Sequence, residues 1–190
     1  MGSNNASGSI DYVEKVSRLL ASDMYRMRCL TALRELALPQ GYIGAGFLRN
    51  AIWDVLHNKP SSTPLNDVDV IYFCRQSEKE RDAELERRLH DMMPEANWQV
   101  KNQARMHTLH GHNPYESCEQ AISYWIEKET CVAVKLNESG RVEVLAPFGL
   151  QANFASTLSI NPRYPRREIF NTRVKQKDWL KIWPKLTLHY

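Results

Sequence analysis

The sequence lacks long hydrophobic runs, paired cysteine motifs and a secretion signal at its start. Its apolar stretches, such as residues 131–134, span only a few residues, whereas a transmembrane helix needs about 20. The opening residues, MGSNNASGS, are polar, and they lack the basic and apolar regions of a signal peptide. We therefore expect a cytoplasmic protein with no membrane partner and a disordered lead-in over residues 1–9.

The four cysteines, Cys29, Cys74, Cys118 and Cys131, are far apart and form no Cys-x-x-Cys pair. This spacing argues against a zinc ribbon or a redox motif and is typical of reduced, buried thiols. Charge is also unevenly distributed. Residues 161–190 hold eight Lys or Arg and two acids, whereas the net charge of the whole chain is +3. The C-terminal segment is thus the basic part.

The hydrophobic spacing switches between helical and strand periods, which is typical of an α+β domain. At 190 residues the chain suits one domain, which we place at residues 10–190 with a basic helical C-terminal segment. The spacing predicts one or two helices over residues 10–38, with a break at Ser22 and Asp23 in the second case. Further helices are predicted at 47–57, 78–93 and 115–128, and strands at 41–43, 68–73, 98–101, 130–136 and 141–145. We expect a small mixed or antiparallel sheet with helices packed on it.

Two aspartates, Asp67 and Asp69, mark the most strand-like segment of the chain. Residues two apart on a strand point to the same face, so the two carboxylates lie side by side. Hard cations such as Mg²⁺ or Mn²⁺ are commonly held by one or two carboxylates together with substrate phosphates. The pair therefore predicts a metal site for phosphoryl or nucleotidyl transfer. The alternative is an acidic strand edge that is only solvated.

A glycine-rich turn, Gly44-Ala45-Gly46, precedes the predicted helix at residues 47–57. Glycine lets the backbone approach a ligand, and the free N–H groups at a helix start favour an anion. Arg49 stands in the first helical turn, where a guanidinium reaches phosphate oxygens, and Asn50 follows it. We assign these five residues to nucleotide binding. A turn that merely joins strand to helix is the alternative.

The order of these motifs resembles the signature of the DNA polymerase beta superfamily of nucleotidyltransferases. The segments AGFLRNAIWDVLHN (45–58), DVDVIYF (67–73), WQVKNQARMH (98–107) and KQKDWLKIWPKLTL (175–188) resemble a bacterial family of nucleotidyltransferase-like proteins. This resemblance implies a fold similar to the head domain of CCA-adding enzymes, with no separate neck or body to hold a tRNA.

The resemblance also implies further site residues. The superfamily usually adds a third carboxylate from a neighbouring strand, and Glu143 is the candidate here; a polar position in a half-exposed hairpin is the alternative. Asp54, Asn102 and His107 match family segments and are expected to support the pocket. The chain departs from the family at Cys74, where an acid is common, and at residues 151–154.

Two other patterns admit more than one interpretation. His107, His110 and His112 would suit a transition-metal site. Alternatively, Asn102, Arg105 and His107 would support the pocket by hydrogen bonding or cap a strand-to-helix turn. In the C-terminal segment, lysines and arginines interleave with Trp179 and Trp183. This pattern is found in RNA-binding surfaces and in amphipathic helices that pack their tryptophans on the core.

The function that these features predict is the transfer of a nucleotidyl group from a metal-bound nucleoside triphosphate (NTP) to an acceptor. One alternative is a module of the same fold that binds nucleotide or RNA without turnover. Another is a minimal nucleotidyltransferase that modifies a protein.

Overall fold

A five-stranded mixed sheet with helices packed on it forms the centre of the part of the chain that the structure describes. The structure is a computed structural model that describes residues 6–190, with side chains from residue 11. The α+β fold predicted from the sequence is confirmed. The first five residues of the predicted lead-in lie outside the described range.

The helices and strands follow the predicted order over most of the chain. The helices are α1 (Ala6–Ala21), α2 (Met24–Glu35), α3 (Gly46–Leu56), α4 (Glu80–Met92), α5 (His107–His110), α6 (Cys118–Ile122), α7 (Gln151–Phe154), α8 (Arg167–Gln176) and α9 (Trp179–Ile182). The strands are β1 (Tyr42–Gly44), β2 (Val68–Tyr72), β3 (Trp98–Asn102), β4 (Ala133–Leu136), β5 (Val142–Leu145), β6 (Thr157–Ser159) and β7 (Thr187–His189). The N-terminal helical region is two helices, because Asp23 caps α2 by accepting a hydrogen bond from the Arg26 backbone N–H.

The strand order in the main sheet is β3-β2-β1-β4-β5. Strands β2 and β3 are parallel, whereas β1 pairs antiparallel with both β2 and β4. Strands β4 and β5 form the predicted hairpin, in which Gly140 adopts a φ of 73° at the turn. A glycine is suited to that conformation because it lacks a Cβ.

The two faces of the sheet carry different residues because side chains alternate along each strand. On β2, Val68, Val70 and Tyr72 pack into the core beneath the helices, with Leu30 of α2 and Leu85 of α4 among their neighbours. Residues 69 and 71 point to the opposite face. Alternation thus places the two aspartates outside the main core.

The opposite face of the sheet is partly covered by residues 115–125. Ile71 and Tyr42 pack there against Tyr115 and Ile122. The helix predicted at residues 115–128 is only the five-residue α6. It ends early because the buried Asn161 side chain donates hydrogen bonds to the backbone carbonyls of Ser123 and Trp125, 2.7 and 2.6 Å long.

The C-terminal segment packs on α3. Trp53, Phe170, Trp179 and Trp183 form a buried cluster, and β6 pairs with β7 in a separate two-stranded parallel sheet. The sequence did not predict these strands, since three residues are too few to show a period. Every helix in the described part of the chain is too short or too polar to cross a membrane.

Candidate nucleotide site

The aspartate pair lies at the start of β2. Asp69 belongs to the strand, and Asp67 immediately precedes it. Burial, and then the Asp67 carboxylate, raise the pKa of Asp69 to about 6, while Arg49, Lys177 and Arg173 oppose that rise. The ionised form of a carboxylate that is partly desolvated and lies near a second negative charge is stabilised when a positive charge binds beside it.

The chain before Asp67 is fastened to α3 by Asp54. The Asp54 carboxylate accepts hydrogen bonds from the Thr63 backbone N–H at 2.7 Å and the Thr63 hydroxyl at 2.6 Å. It also accepts one from the Trp183 indole N–H at 2.8 Å. Asp54 is buried among these partners. Its hydrogen bonds with Thr63 therefore hold the loop that leads to Asp67 against α3.

The glycine turn joins β1 to α3 in a constrained geometry. Extending the β1–β2 register by one residue places Gly44 beside Asp69. A Cβ on Gly44 would lie 2.9 Å from Cη2 of Trp125, so close packing of this indole requires glycine there. Ala45 adopts φ 55° and ψ −124°, a conformation that glycine favours. No side chain caps the N-terminus of α3 after it, so the first N–H groups of that helix remain for a ligand.

Arg49 and Asn50 lie beneath the turn. The Arg49 guanidinium is buried between the rings of Trp53 and Trp179, 4.9 and 4.6 Å from their centroids. It donates to the Thr130 hydroxyl at 2.6 Å and to the Asn50 side-chain oxygen at 3.0 and 3.2 Å. Burial lowers the pKa of Arg49 to about 10. Its positive charge therefore lies beneath the glycine turn, where it stabilises the ionised carboxylate of Asp69.

A cavity of about 290 Å³ opens beside Asp69 and the turn. Its wall includes Ala45, Asp69, Lys101, Tyr124, Trp125 and Arg173. Aromatic, acidic and basic groups therefore surround one space that is continuous with the start of α3. Lys101, Tyr124 and Trp125 were not predicted from the sequence as site residues.

A buried ion pair stands at the same cavity. Glu127, which is fully buried, accepts hydrogen bonds from Nε and Nη2 of Arg173 at 2.5 and 3.2 Å. The Thr130 hydroxyl donates to Glu127 at 2.9 Å and links this pair to Arg49. Sequence analysis missed these residues, because 46 positions separate Glu127 from Arg173.

The Glu143 side chain lies away from Asp67 and Asp69. It shares their face of the sheet but lies on β5, which β1 and β4 separate from β2. At about 4.8 Å between neighbouring strands, three intervals place the backbones roughly 14 Å apart. The Glu143 carboxylate accepts a hydrogen bond from the Tyr42 hydroxyl at 2.9 Å and pairs with Lys135 at 3.1 Å. The expectation that Glu143 faces the pair within reach of one shared cation is thus not met, because the hairpin position is satisfied locally.

Asn102 and His107 are placed by local hydrogen bonds. Asn102 is fully buried; its side chain accepts from the Cys74 N–H at 3.1 Å and donates to the Cys74 carbonyl at 2.6 Å. This clamp joins the ends of β2 and β3, next to Lys101. The His107 imidazole contacts the Ala104 carbonyl at 3.0 Å. Of the three nearby histidines, His110 lines the cavity.

The aspartate pair is the candidate metal-ligand set among the described residues. Within residues 6–190, no group of three or more His, Cys, Asp or Glu side chains is arranged to hold a metal ion. Two carboxylates nonetheless fit Mg²⁺ or Mn²⁺, because such ions take their remaining ligands from phosphate oxygens and water. The elevated pKa of Asp69 is consistent with a site that gains from a cation.

The fold is similar to that of solved CCA-adding and tRNA-processing enzymes. An NMR structure described as a CCA-adding enzyme head domain is 30% identical, with a TM-score of 0.81; the match covers 92% of this chain and 94% of that one. A CCA-adding enzyme solved with CTP has 12% identity and a TM-score of 0.59, over 94% of this chain and 43% of the enzyme. A tRNA-processing enzyme has 14% identity and a TM-score of 0.53, over 85% of this chain and 44% of that one. This chain therefore spans less than half the length of those two enzymes.

No curated protein matches the chain. A model of a nucleotidyltransferase family matches residues 31–188, which include the glycine turn, the aspartate pair and the C-terminal helices. With a family match over most of its length, the chain belongs to this nucleotidyltransferase family.

Proposed function

We propose that this protein transfers a nucleotidyl group from a metal-bound NTP to an acceptor. The observation that carries the proposal is the position of Asp69. It stands beside Asp67 and lines the cavity that reaches Ala45 at the start of α3. A cation held by carboxylates and a triphosphate held by helix N–H groups would therefore meet in one place.

The chain's own groups define what each part of the site would do. Asp67 and Asp69 would hold Mg²⁺ or Mn²⁺, which supplies positive charge to the phosphates during an in-line displacement. The N-terminus of α3 adds N–H donors and the positive end of the helix dipole. Tyr124 and Trp125 supply an aromatic wall on which a nucleobase would stack.

A protein of similar fold has been solved with a ligand of the proposed class. A CCA-adding enzyme has been solved in complex with CTP. The likeness at 12% identity concerns the fold, so the support for NTP binding in this chain comes from its own turn, carboxylates and cavity.

The proposal is tested by titrating the ¹⁵N-labelled protein with each of the four NTPs, with and without Mg²⁺ or Mn²⁺. We expect metal-dependent shifts at residues 44–49 and 67–69, and loss of the metal dependence in an Asp67→Asn, Asp69→Asn double variant. Asp91→Asn, which removes an exposed charge at the end of α4, is the matched control. Shifts that map away from the cavity would contradict the proposal.

A second candidate function is a binding module that holds nucleotide without turnover. It is favoured by one observation, the engagement of Glu143 with Tyr42 and Lys135 away from the aspartate pair. Incubation with α-³²P-labelled NTP and cell extract separates the two functions. An enzyme labels an acceptor and loses that activity in the Asp69→Asn variant, whereas a binding module gives metal-dependent binding without label.

A further inference from the structure

Helix α8 places Arg173 at the wall of the cavity. This residue comes from the C-terminal segment, far in sequence from the glycine turn and the aspartates, yet it lines the same cavity as Ala45 and Asp69. Its side chain is about one-third exposed, so the guanidinium is accessible from the cavity.

The Arg173 guanidinium is paired with a buried carboxylate. Glu127 is fully buried, and its two oxygens accept from Nε and Nη2 of Arg173 at 2.5 and 3.2 Å. The Thr130 hydroxyl fixes Glu127 from the other side at 2.9 Å. A guanidinium fixed in this way loses little further side-chain freedom when it binds a ligand.

The ion pair leaves Arg173 with capacity for an anion. Arginine has five N–H donors, and two of them go to Glu127. Among the described residues, no other hydrogen bond from Arg173 accompanies these two, so three of its donors have no protein acceptor there. Phosphate oxygens are the acceptors that match the planar fork of a guanidinium.

We propose that Arg173 binds the triphosphate of the NTP and that buried Glu127 positions it for that contact. The inference rests on the proposed function and deepens it. The anion must approach Arg173, Ala45 at the start of α3 and Asp69 together, because all three border one cavity. A triphosphate chelating a cation has the length and charge for this, and a single phosphate on the acceptor is the competing ligand.

The test compares variants that remove the contact without leaving a buried charge unpaired. Arg173→Gln alone strands Glu127, so the main variant is the double change Arg173→Gln with Glu127→Gln; Arg173→Lys keeps the charge and loses the fork. Lys175→Gln removes an exposed positive charge from the same helix and is the matched control. Calorimetry with Mg²⁺ then measures affinity for inorganic tripolyphosphate, for the NTP that binds best, and for its monophosphate.

We expect the double variant to bind tripolyphosphate and NTP about 10- to 100-fold more weakly, the range for one hydrogen-bonded charge contact. The monophosphate affinity should fall by less than about threefold, Arg173→Lys should lie between, and the control should match the wild type. Equal losses for NTP and monophosphate would mean a structural role and would overturn the inference, as would no loss. Wild-type protein that binds no NTP would instead overturn the proposed function, and this inference with it.

Discussion

At the scale of single residues, the ionisation of Asp69 affects the free energy of unfolding. Its pKa in the folded protein is raised from 3.8 to about 6, first by burial and then by Asp67. The stabilisation of the protonated form is fully present below pH 3.8 and is lost as the pH rises through 6. The ionisation of Asp69 taken by itself therefore lowers the stability of the metal-free protein between mild acid and neutral pH.

Asp69→Asn should accordingly stabilise the protein by up to about 3 kcal/mol at pH 7.5 and by little at pH 3.5. Urea denaturation of both proteins across this pH range, without divalent cations, measures the difference. Asp91→Asn, on the exposed end of α4, should show no such rise. A difference that is constant with pH would mean that Asp69 carries no elevated pKa.

Ala45 holds a conformation that costs energy. A non-glycine residue at φ 55° and ψ −124° is strained by about 1–3 kcal/mol, and Ala45→Gly should recover part of that as roughly 1 kcal/mol of stability. Ala83→Gly, at an exposed position near the start of α4, should have the opposite effect, a loss of up to about 1 kcal/mol. Thermal denaturation of the two variants is the measurement. A loss at both positions would show that Ala45 is not strained.

Between elements, the hydrogen bond from Trp183 to Asp54 ties the C-terminal segment to α3. Trp183→Phe keeps a ring in the cluster and removes the indole donor at 2.8 Å, so we expect a loss of about 2 kcal/mol. In an Asp54→Asn background the same change should cost less, because the charged acceptor is already gone. Chemical denaturation of the four proteins gives the coupling energy, and a value near zero would exclude this tie.

Elements with strong local patterns were predictable from the sequence. Three such features are determined by residues that are adjacent in sequence: the β-branched run of β2, the Asn-Glu-Ser-Gly turn of the hairpin and the break before α2. The long helix predicted after residue 115 was wrong, because Asn161 binds the carbonyls that would continue it. A side chain that distant leaves no trace in the local period.

At the scale of the whole molecule, the C-terminal segment is part of the core. Trp179 is buried against Trp53 and lies under the Arg49 guanidinium. The interpretation in which the tryptophans pack on the core therefore agrees with the geometry. The alternative in which RNA stacks on these rings does not, because Trp179 and Trp183 are both inaccessible.

Trp179→Ala should destabilise the entire protein by about 3–5 kcal/mol in one cooperative transition. Arg166→Glu with Arg167→Glu, two exposed positions, should leave stability within about 1 kcal/mol. Circular dichroism at increasing urea measures both. A stable Trp179→Ala variant would contradict the packing interpretation, and salt-sensitive RNA binding lost in the double Glu variant would favour an RNA surface.

The site as a whole was only partly predictable from the sequence. Asp67, Asp69 and residues 44–46 were predicted as site residues from their spacing within short segments, and the structure places Asp69 and Ala45 at one cavity. Glu127 and Arg173 were not, because each looks like an ordinary charged residue until the fold brings them to the same cavity. Glu143 illustrates the converse, since strand alternation gives its face but not its distance from β2.

The position of Trp125, beside Gly44 at the wall of the cavity, gives the protein an intrinsic fluorescent reporter. Trp53, Trp98, Trp179 and Trp183 are buried, whereas Trp125 is partly exposed and lines the cavity. Trp125 emission should therefore change when Mg²⁺ and NTP enter, and soluble quenchers should reach it first. Fluorescence titration of wild type and Trp125→Phe measures this, and a nucleotide-dependent signal that survives the substitution would place the ligand beside another indole. Occupancy of the site would then be readable in unlabelled protein, without any acceptor or turnover.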